Sequence, residues 1–304
     1  MNHILLTGAT GMIGSAVVRG ATRRGYEITC MVRKDSPRIM NIPRDENVHI
    51  IECNITDYAD LKLEGSYDIF IHLAWAKTSV SGRDDVDCQL KNIQYTLDAV
   101  RLAQRSGCKV FIGAGSQAEY GVKSVPLTPD LPVNPESGYG IAKYAAGKLS
   151  AMLCGQLGIR FNWLRILSVY GPHDGAHTLI SYVIRELQAG RSPELTACGQ
   201  KWDYLHCDDA AAAFLSVAEK GADGRIYPLG SGQGRRLSTY IEDIQQIINP
   251  SVPLLLGRKA YYPHQPMHLV ADISELSKDT GWLPQISFTD GIRQLVNVGT
   301  SLSS

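Results

Sequence analysis

The chain opens with a short apolar run, HILLT at residues 3–7. It passes directly into Gly8-Ala9-Thr10-Gly11-Met12-Ile13-Gly14 and then into a helical stretch ending near Gly25. Glycines at this spacing, between a strand and a helix, let the backbone turn sharply and approach an anion closely. The first-turn N–H groups of the helix then face that anion, which in such folds is a pyrophosphate. The spacing is G-x-x-G-x-x-G, one residue longer than the G-x-G-x-x-G fingerprint. A glycine triplet by itself also describes a plain turn. Its place between the first strand and the first helix makes Gly8, Thr10, Gly11, Met12, Ile13 and Gly14 candidate dinucleotide-binding residues.

The next hundred or so residues alternate in the same way. Apolar runs at 27–32 (EITCMV), 48–52 (VHIIE), 68–73 (DIFIHL) and 109–113 (KVFIG) read as strands, and 84–106 as a long amphipathic helix stopped by Gly107. Continuous apolar strands joined by helices predict a parallel sheet covered on both faces, hence an α/β, Rossmann-type doubly wound fold. Four prolines between Val125 and Pro135 mark a loop. A helix is expected over 139–157 and a strand over 160–167. Further helices are expected at 178–189, 208–219, 238–247 and 287–297, with short strands between them. The expected division is a dinucleotide-binding domain over 1–167, to which the chain returns near 204–230, and a smaller C-terminal α/β substrate domain over 168–304.

Composition narrows the partners. Lys plus Arg equals Asp plus Glu, so the formal charge is zero. There is no electrostatic case for nucleic acid or an anionic membrane as the main partner. The seven cysteines, at 30, 53, 88, 108, 154, 198 and 207, are odd in number and none form a C-x-x-C pair. Neither a disulfide framework nor a zinc knuckle is expected, and no metal. No apolar run approaches the ~20 residues of a membrane span, and no leader pattern precedes the first strand, so a cytoplasmic protein is expected.

Two local patterns carry chemistry. The second strand ends Met31-Val32-Arg33-Lys34, with no carboxylate at its tip for a ribose 2′-hydroxyl. Arg33 and Lys34 suit a 2′-phosphate, which favours NADP(H) over NAD(H); the alternative is a solvated basic loop end. Tyr139-Gly140-Ile141-Ala142-Lys143 places Tyr139 and Lys143 on one helical face, while Ser116 lies just past the fifth strand. Reduction of a carbonyl leaves an oxyanion that needs a proton. A tyrosine donates it readily only if a cation stabilises the phenolate, and a serine hydroxyl polarises the carbonyl. Ser116, Tyr139 and Lys143 are the candidate catalytic residues.

These residues resemble the extended branch of the short-chain dehydrogenase/reductase family, the NAD-dependent epimerase/dehydratase type, along nearly the whole chain. TGATGMIG is similar to its cofactor loop. HLAW at 72–75 sits where members carry HLA-type sequences, and Lys77 where the epimerase branch has a cofactor-contacting lysine. Asn92-Ile-Gln-Tyr-Thr96 resembles N-x-x-G-T, Ser116 to Gly121 resembles S-x-x-x-Y-G, and Val169 to Pro172 resembles VYGP. Residues 203–209 (DYLHCDD) resemble DFIHVDD, with Trp202 where an arginine is usual, and Gly281 to Pro284 resembles GW-x-P. The resemblance implies cofactor contacts from Leu73, Ala74, Trp75, Lys77 and Asn92, with Asn54 and Ile55 after the third strand as further candidates.

It also implies a nucleotide-sugar substrate and a homodimer built on the helices at 84–106 and 139–157. Substrate candidates are Gln117, Ala118, Ser168, Arg191, Trp202 and Arg236, with Lys201 and Arg258 as further cations. Trp75 and Trp202 either stack on sugar or base or belong to the core. Gln117 and Ala118 replace the Asp and Glu of sugar-nucleotide 4,6-dehydratases, so dehydration is disfavoured. Ala118 replaces the cysteine of dual epimerase–reductases, and Tyr182 aligns with their histidine. Simple hydride chemistry at C4 remains. NADPH-dependent reduction of an NDP-4-keto-6-deoxyhexose is the leading expectation. C4-epimerisation with tightly held NAD is the alternative, and a non-catalytic cofactor sensor or scaffold is the alternative of another class.

Overall fold

The computed structural model describes residues 3–78, 82–262 and 265–301. Its first half runs β1 (His3–Thr7), α1 (Met12–Arg23), β2 (Glu27–Val32), β3 (Val48–Glu52), β4 (Ile69–His72), α2 (Val86–Arg105), β5 (Val110–Ser116), α3 (Gly138–Leu157) and β6 (Arg160–Ile166). The second half continues with β7 (Ser168–Tyr170), α4 (Leu179–Gln188), β8 (Lys201–Trp202), β9 (Tyr204–His206), α5 (Cys207–Lys220), β10 (Arg225–Leu229), β11 (Arg235–Arg236), α6 (Leu237–Ile248), β12 (His268–Leu269), α7 (Ser274–Thr280) and α8 (Phe288–Ser301).

Seven strands form one sheet in the order β10-β6-β5-β4-β1-β2-β3, and every pairing in it is parallel. The fold is therefore a Rossmann-type α/β sheet. β4 and β5 are buried along their whole length, whereas the edge strand β3 is largely exposed. Alternate residues of a strand face opposite layers. Ile4 and Leu6 join a core with Val17, Phe214 and Leu215 from α1 and α5, while Leu5 joins Leu102, Phe111, Ala146 and Trp163 on the α2–α3 side. Tyr170, Val183, Ile241 and Ile292 centre a further core among α4, α6 and α8.

The strand order reverses between β1 and β4. The loops leaving the C-terminal ends of these two strands splay apart there and open a crevice for a ligand. The threonine hydroxyl at the end of β1 ties those loops together: Thr7 Oγ1 accepts from Leu73 N (3.1 Å) and Ala74 N (3.2 Å) and bonds His72 Nδ1 (2.9 Å).

Three features differ from the sequence reading. β5 extends to Ser116 rather than stopping at Gly113, because Gly113 to Ser116 stay in register with Trp163 to Ile166 of β6. Glycine is required in that extension: a Cβ on Gly113 or Gly115 would lie 2.1 or 2.3 Å from the Trp163 indole. α7 went unpredicted. So did the three-residue strand β7, which is too short to show a period, while the short strands expected between the C-terminal helices are β8 to β12.

Gly14 is held by contact. A Cβ there would sit 2.1 Å from Gly8 O. Gly14→Ala should destabilise the fold by about 1–3 kcal/mol through overpacking, read as a lower urea midpoint at unchanged slope.

Candidate active site

α3 starts where Ser137 caps it, its Oγ accepting from Gly140 N at 3.1 Å. The segment before α2 grips the same end: Tyr139 N donates to Arg83 O (2.7 Å) and Gly138 N to Asp84 Oδ1 (2.8 Å). This fixes Tyr139 in the first turn and Lys143 one turn later. Ser116 ends β5 and caps a short 3-10 turn, Gln117–Glu119. All three side chains line one cavity of about 940 Å³, which runs from Ile13 and Leu73 past Ser168 to Tyr182 and Lys259.

Glu119 sets the serine. Its carboxylate accepts from Ser116 N (2.8 Å), Trp163 Nε1 (2.9 Å) and Arg165 Nε (2.7 Å). Both members of the Glu119–Arg165 pair are buried, and the guanidinium also lies over the Tyr120 ring, 4.5 Å from its centroid. Lys143 is buried and donates to Ala114 O at 2.7 Å. Burial pulls its ammonium down to about 7, against the opposing field of Glu119. Burial pushes the Tyr139 phenol up, opposed by its hydrogen bond with Ser116 and by the Arg83 guanidinium 5.2 Å over its ring. Burial also holds His72 neutral, at about 3.

The glycine turn fits a dinucleotide. Gly8 has φ +75°, and a Cβ there would sit 2.9 Å from Ala74 N and Leu73 C, so the loops after β1 and β4 touch only through glycine. Gly11 caps α1 with no side-chain hydrogen bond, and the first turn of α1 holds no carboxylate. These N–H groups are left for an anion. Thr10, Met12 and Ile13 complete the turn, and Thr10 O accepts from Asn41 Nδ2 at 3.0 Å. Arg33 and Lys34 are exposed at the tip of β2. Asn54 caps a short turn after β3, and Ile55 packs on the core there. Leu73, Ala74 and Trp75 lie on the loop after β4, with Leu73 and Trp75 in the cavity wall.

Several expected contacts are placed differently. Asn92 is 1% exposed; its Oδ1 accepts from Ala76 N (2.9 Å) and its Nδ2 donates to Ala76 O (3.0 Å), so it anchors the loop after β4 from behind. Lys77 is exposed and its ammonium pairs with Asp85. Gln117, Ser168 and Trp202 line the cavity, with Trp202 Nε1 donating to Ser168 Oγ at 2.8 Å; Ala118, Arg191 and Arg236 do not line it. Arg191 is drawn off by Glu186, at 2.7 Å, and Arg236 starts α6 on the surface. Besides Lys143, the Lys and Arg side chains in the wall among the described residues are Arg83, Arg185 and Lys259. Arg185 was visible in sequence only as a residue three after Tyr182, on the same helical face.

A model of the NAD dependent epimerase/dehydratase family matches residues 4–230. The chain belongs to that family. Among its curated relatives is the UDP-glucose 4-epimerase of Corynebacterium glutamicum, 23% identical over 93% of this chain and 91% of that one. Another is a dTDP-4-dehydro-6-deoxyglucose reductase of Escherichia coli, 24% identical over 97% and 96%. In fold it is similar to the UDP-glucose 4-epimerase of Thermotoga maritima crystallised with UDP-glucose, at a TM-score of 0.86, 22% identity and 99% and 100% coverage. As a member of the family it is an NAD(P)-dependent enzyme. No helix among the described residues is long and apolar enough to cross a membrane.

The buried charges make the site sensitive to substitution and to pH. Glu119→Ala leaves Arg165 without its partner and should cost about 3–5 kcal/mol, while Glu119→Leu with Arg165→Met should recover much of that loss; urea unfolding of the single and double variants checks both. Lys143 is held below its ordinary 10.5, at about 7. Between those values the unfolded chain carries more protons, so stability rises with pH across that window. Lys143→Met should flatten this rise in thermal melts from pH 6 to 10.

Proposed function

We propose that this enzyme reduces the 4-keto group of a nucleoside-diphosphate 4-keto-6-deoxyhexose, with NADPH as the preferred donor. The observation that carries the reading is the cavity wall at the turn after β5. It joins Ser116, Tyr139 and Lys143, while the next two positions, Gln117 and Ala118, offer no group that could take a proton from carbon. The cofactor, when bound, supplies the hydride. The Tyr139 phenol gives its proton to the oxygen left at C4. The Ser116 hydroxyl hydrogen-bonds that oxygen as charge develops on it. The Lys143 ammonium stabilises the phenolate left behind. Arg33 and Lys34, exposed at the tip of β2, support the choice of a 2′-phosphorylated cofactor. Arg185 and Lys259, the cations of the far wall, suit the substrate diphosphate better than Arg191 and Arg236.

A second reading, C4-epimerisation with retained NAD, is favoured by the likeness to the C. glutamicum enzyme. Loss of reduced-nicotinamide absorbance with a panel of NDP-4-keto-6-deoxyhexoses separates the two. Consumption of NADPH with one sugar supports reduction. No consumption, together with NAD that survives dialysis, supports the epimerase. Tyr139→Phe should lower turnover at least ~100-fold, the low end of a positioned acid's contribution, with cofactor affinity unchanged.

We further propose a homodimer through α2 and α3. Val86 and Leu90 on α2 and Leu149 and Met152 on α3 are exposed apolar side chains on two helices that pack together. Leu90→Glu with Met152→Glu should give a monomer by light scattering.

A further inference from the structure

Lys143 sits in an unusual seat for a buried ammonium. It has three donors to place. Among the described residues its one hydrogen bond goes to Ala114 O, at 2.7 Å. The other side of the charge is an aromatic face: Nζ lies 3.7 Å from the centroid of the Trp75 ring. The same ring meets Tyr139 edge to face, with centroids 5.9 Å apart and planes at 84°.

The indole is itself held. Trp75 Nε1 donates to Gln89 Oε1 at 2.9 Å, and the buried Gln89 turns its Nε2 to Gly82 O at 2.9 Å. One residue on, Asn92 grips Ala76 through both its N–H and its carbonyl. α2 thus clamps the loop after β4 at two points and sets the plane of the ring.

We propose that Trp75 is a positioning residue, whose indole face seats the Lys143 ammonium beside Tyr139 and stabilises its charge where water is excluded. A cation over an indole face is attracted by the ring quadrupole, and more strongly where both are desolvated. The inference rests on the reading of Tyr139 and Lys143 as the proton-transfer pair. The other groups facing Lys143 are few, and a second indole, Trp163, is more distant than Trp75, its centroid 5.9 Å from Nζ. Glu119, from the turn after β5, favours its charge. His72, from β4, stays neutral. Tyr139 lies one turn earlier on α3, with Arg83 over its far side.

The test follows Lys143 directly, by NMR of protein labelled at the lysine ε carbons, with Lys143→Met to assign the signal. In the unaltered protein the ε protons should lie upfield of the other lysines through the ring current of Trp75. Trp75→Leu should lower the Lys143 titration midpoint by about half to one pH unit, and Trp75→Phe should keep most of it. The alkaline limb of the kcat profile should move by the same amount. Ordinary ε-proton positions in the unaltered protein overturn the proposal without any variant. So does an unchanged midpoint in a folded Trp75→Leu. A shifted midpoint with no turnover on any nucleotide sugar sinks the reductase reading and leaves the seat standing.

Discussion

An ion pair shut away from water governs the geometry around Ser116. Glu119 is 1% exposed and Arg165 2%. Such a pair contributes little net stability by itself, because desolvating both charges costs about what their attraction returns. Its value here is directional. The Glu119 carboxylate has donors on β5, on the Trp163 indole and on the guanidinium of β6. If any of them moved, the buried carboxylate would lose a hydrogen bond it cannot replace from water, and if the guanidinium moved, its counter-charge. The end of β5, the turn after it and the middle of β6 are therefore fixed relative to one another, and Ser116 with them. The glycines at 113, 115 and 147 belong to the same arrangement, since each makes room for the Trp163 ring.

The inner strands of the sheet were legible because they are covered on both faces. A run such as IFIH at 69–72 has no alternation to misread, and the glycine turn announces where the first helix begins. Tyr139 and Lys143 were legible for a similar reason: their spacing on one helix is enough to put them together. Ser116 needed the strand order as well, since only the position of β5 beside β4 brings it to the same cavity.

The cations were not legible. Arg191 and Arg185 look alike in sequence and both pair with Glu186, at 2.7 and 3.4 Å, but only Arg185 also sits over Tyr182, 5.7 Å from its ring centroid, in the cavity wall. Which of two such side chains faces the cavity is a property of the folded surface. Asn92 misled for another reason. The resemblance gave it a cofactor contact, but the amide is 1% exposed and holds Ala76 and Gln89, which makes it an anchor of the loop after β4. Arg83 went unnoticed because nothing in its sequence neighbourhood shows that this segment packs against the start of α3.

The seventh strand has a consequence for how the chain comes together. β6 ends at Ile166, and the strand that covers its open edge, β10, begins only at Arg225. Between them lie β7, α4, β8, β9 and α5. During synthesis the growing chain therefore displays an uncapped parallel edge while roughly sixty more residues are added, about 3–12 seconds at ordinary rates of elongation. Such an edge invites pairing with other chains. A fragment cut after β6 would carry that edge permanently, and with it the same invitation to pair.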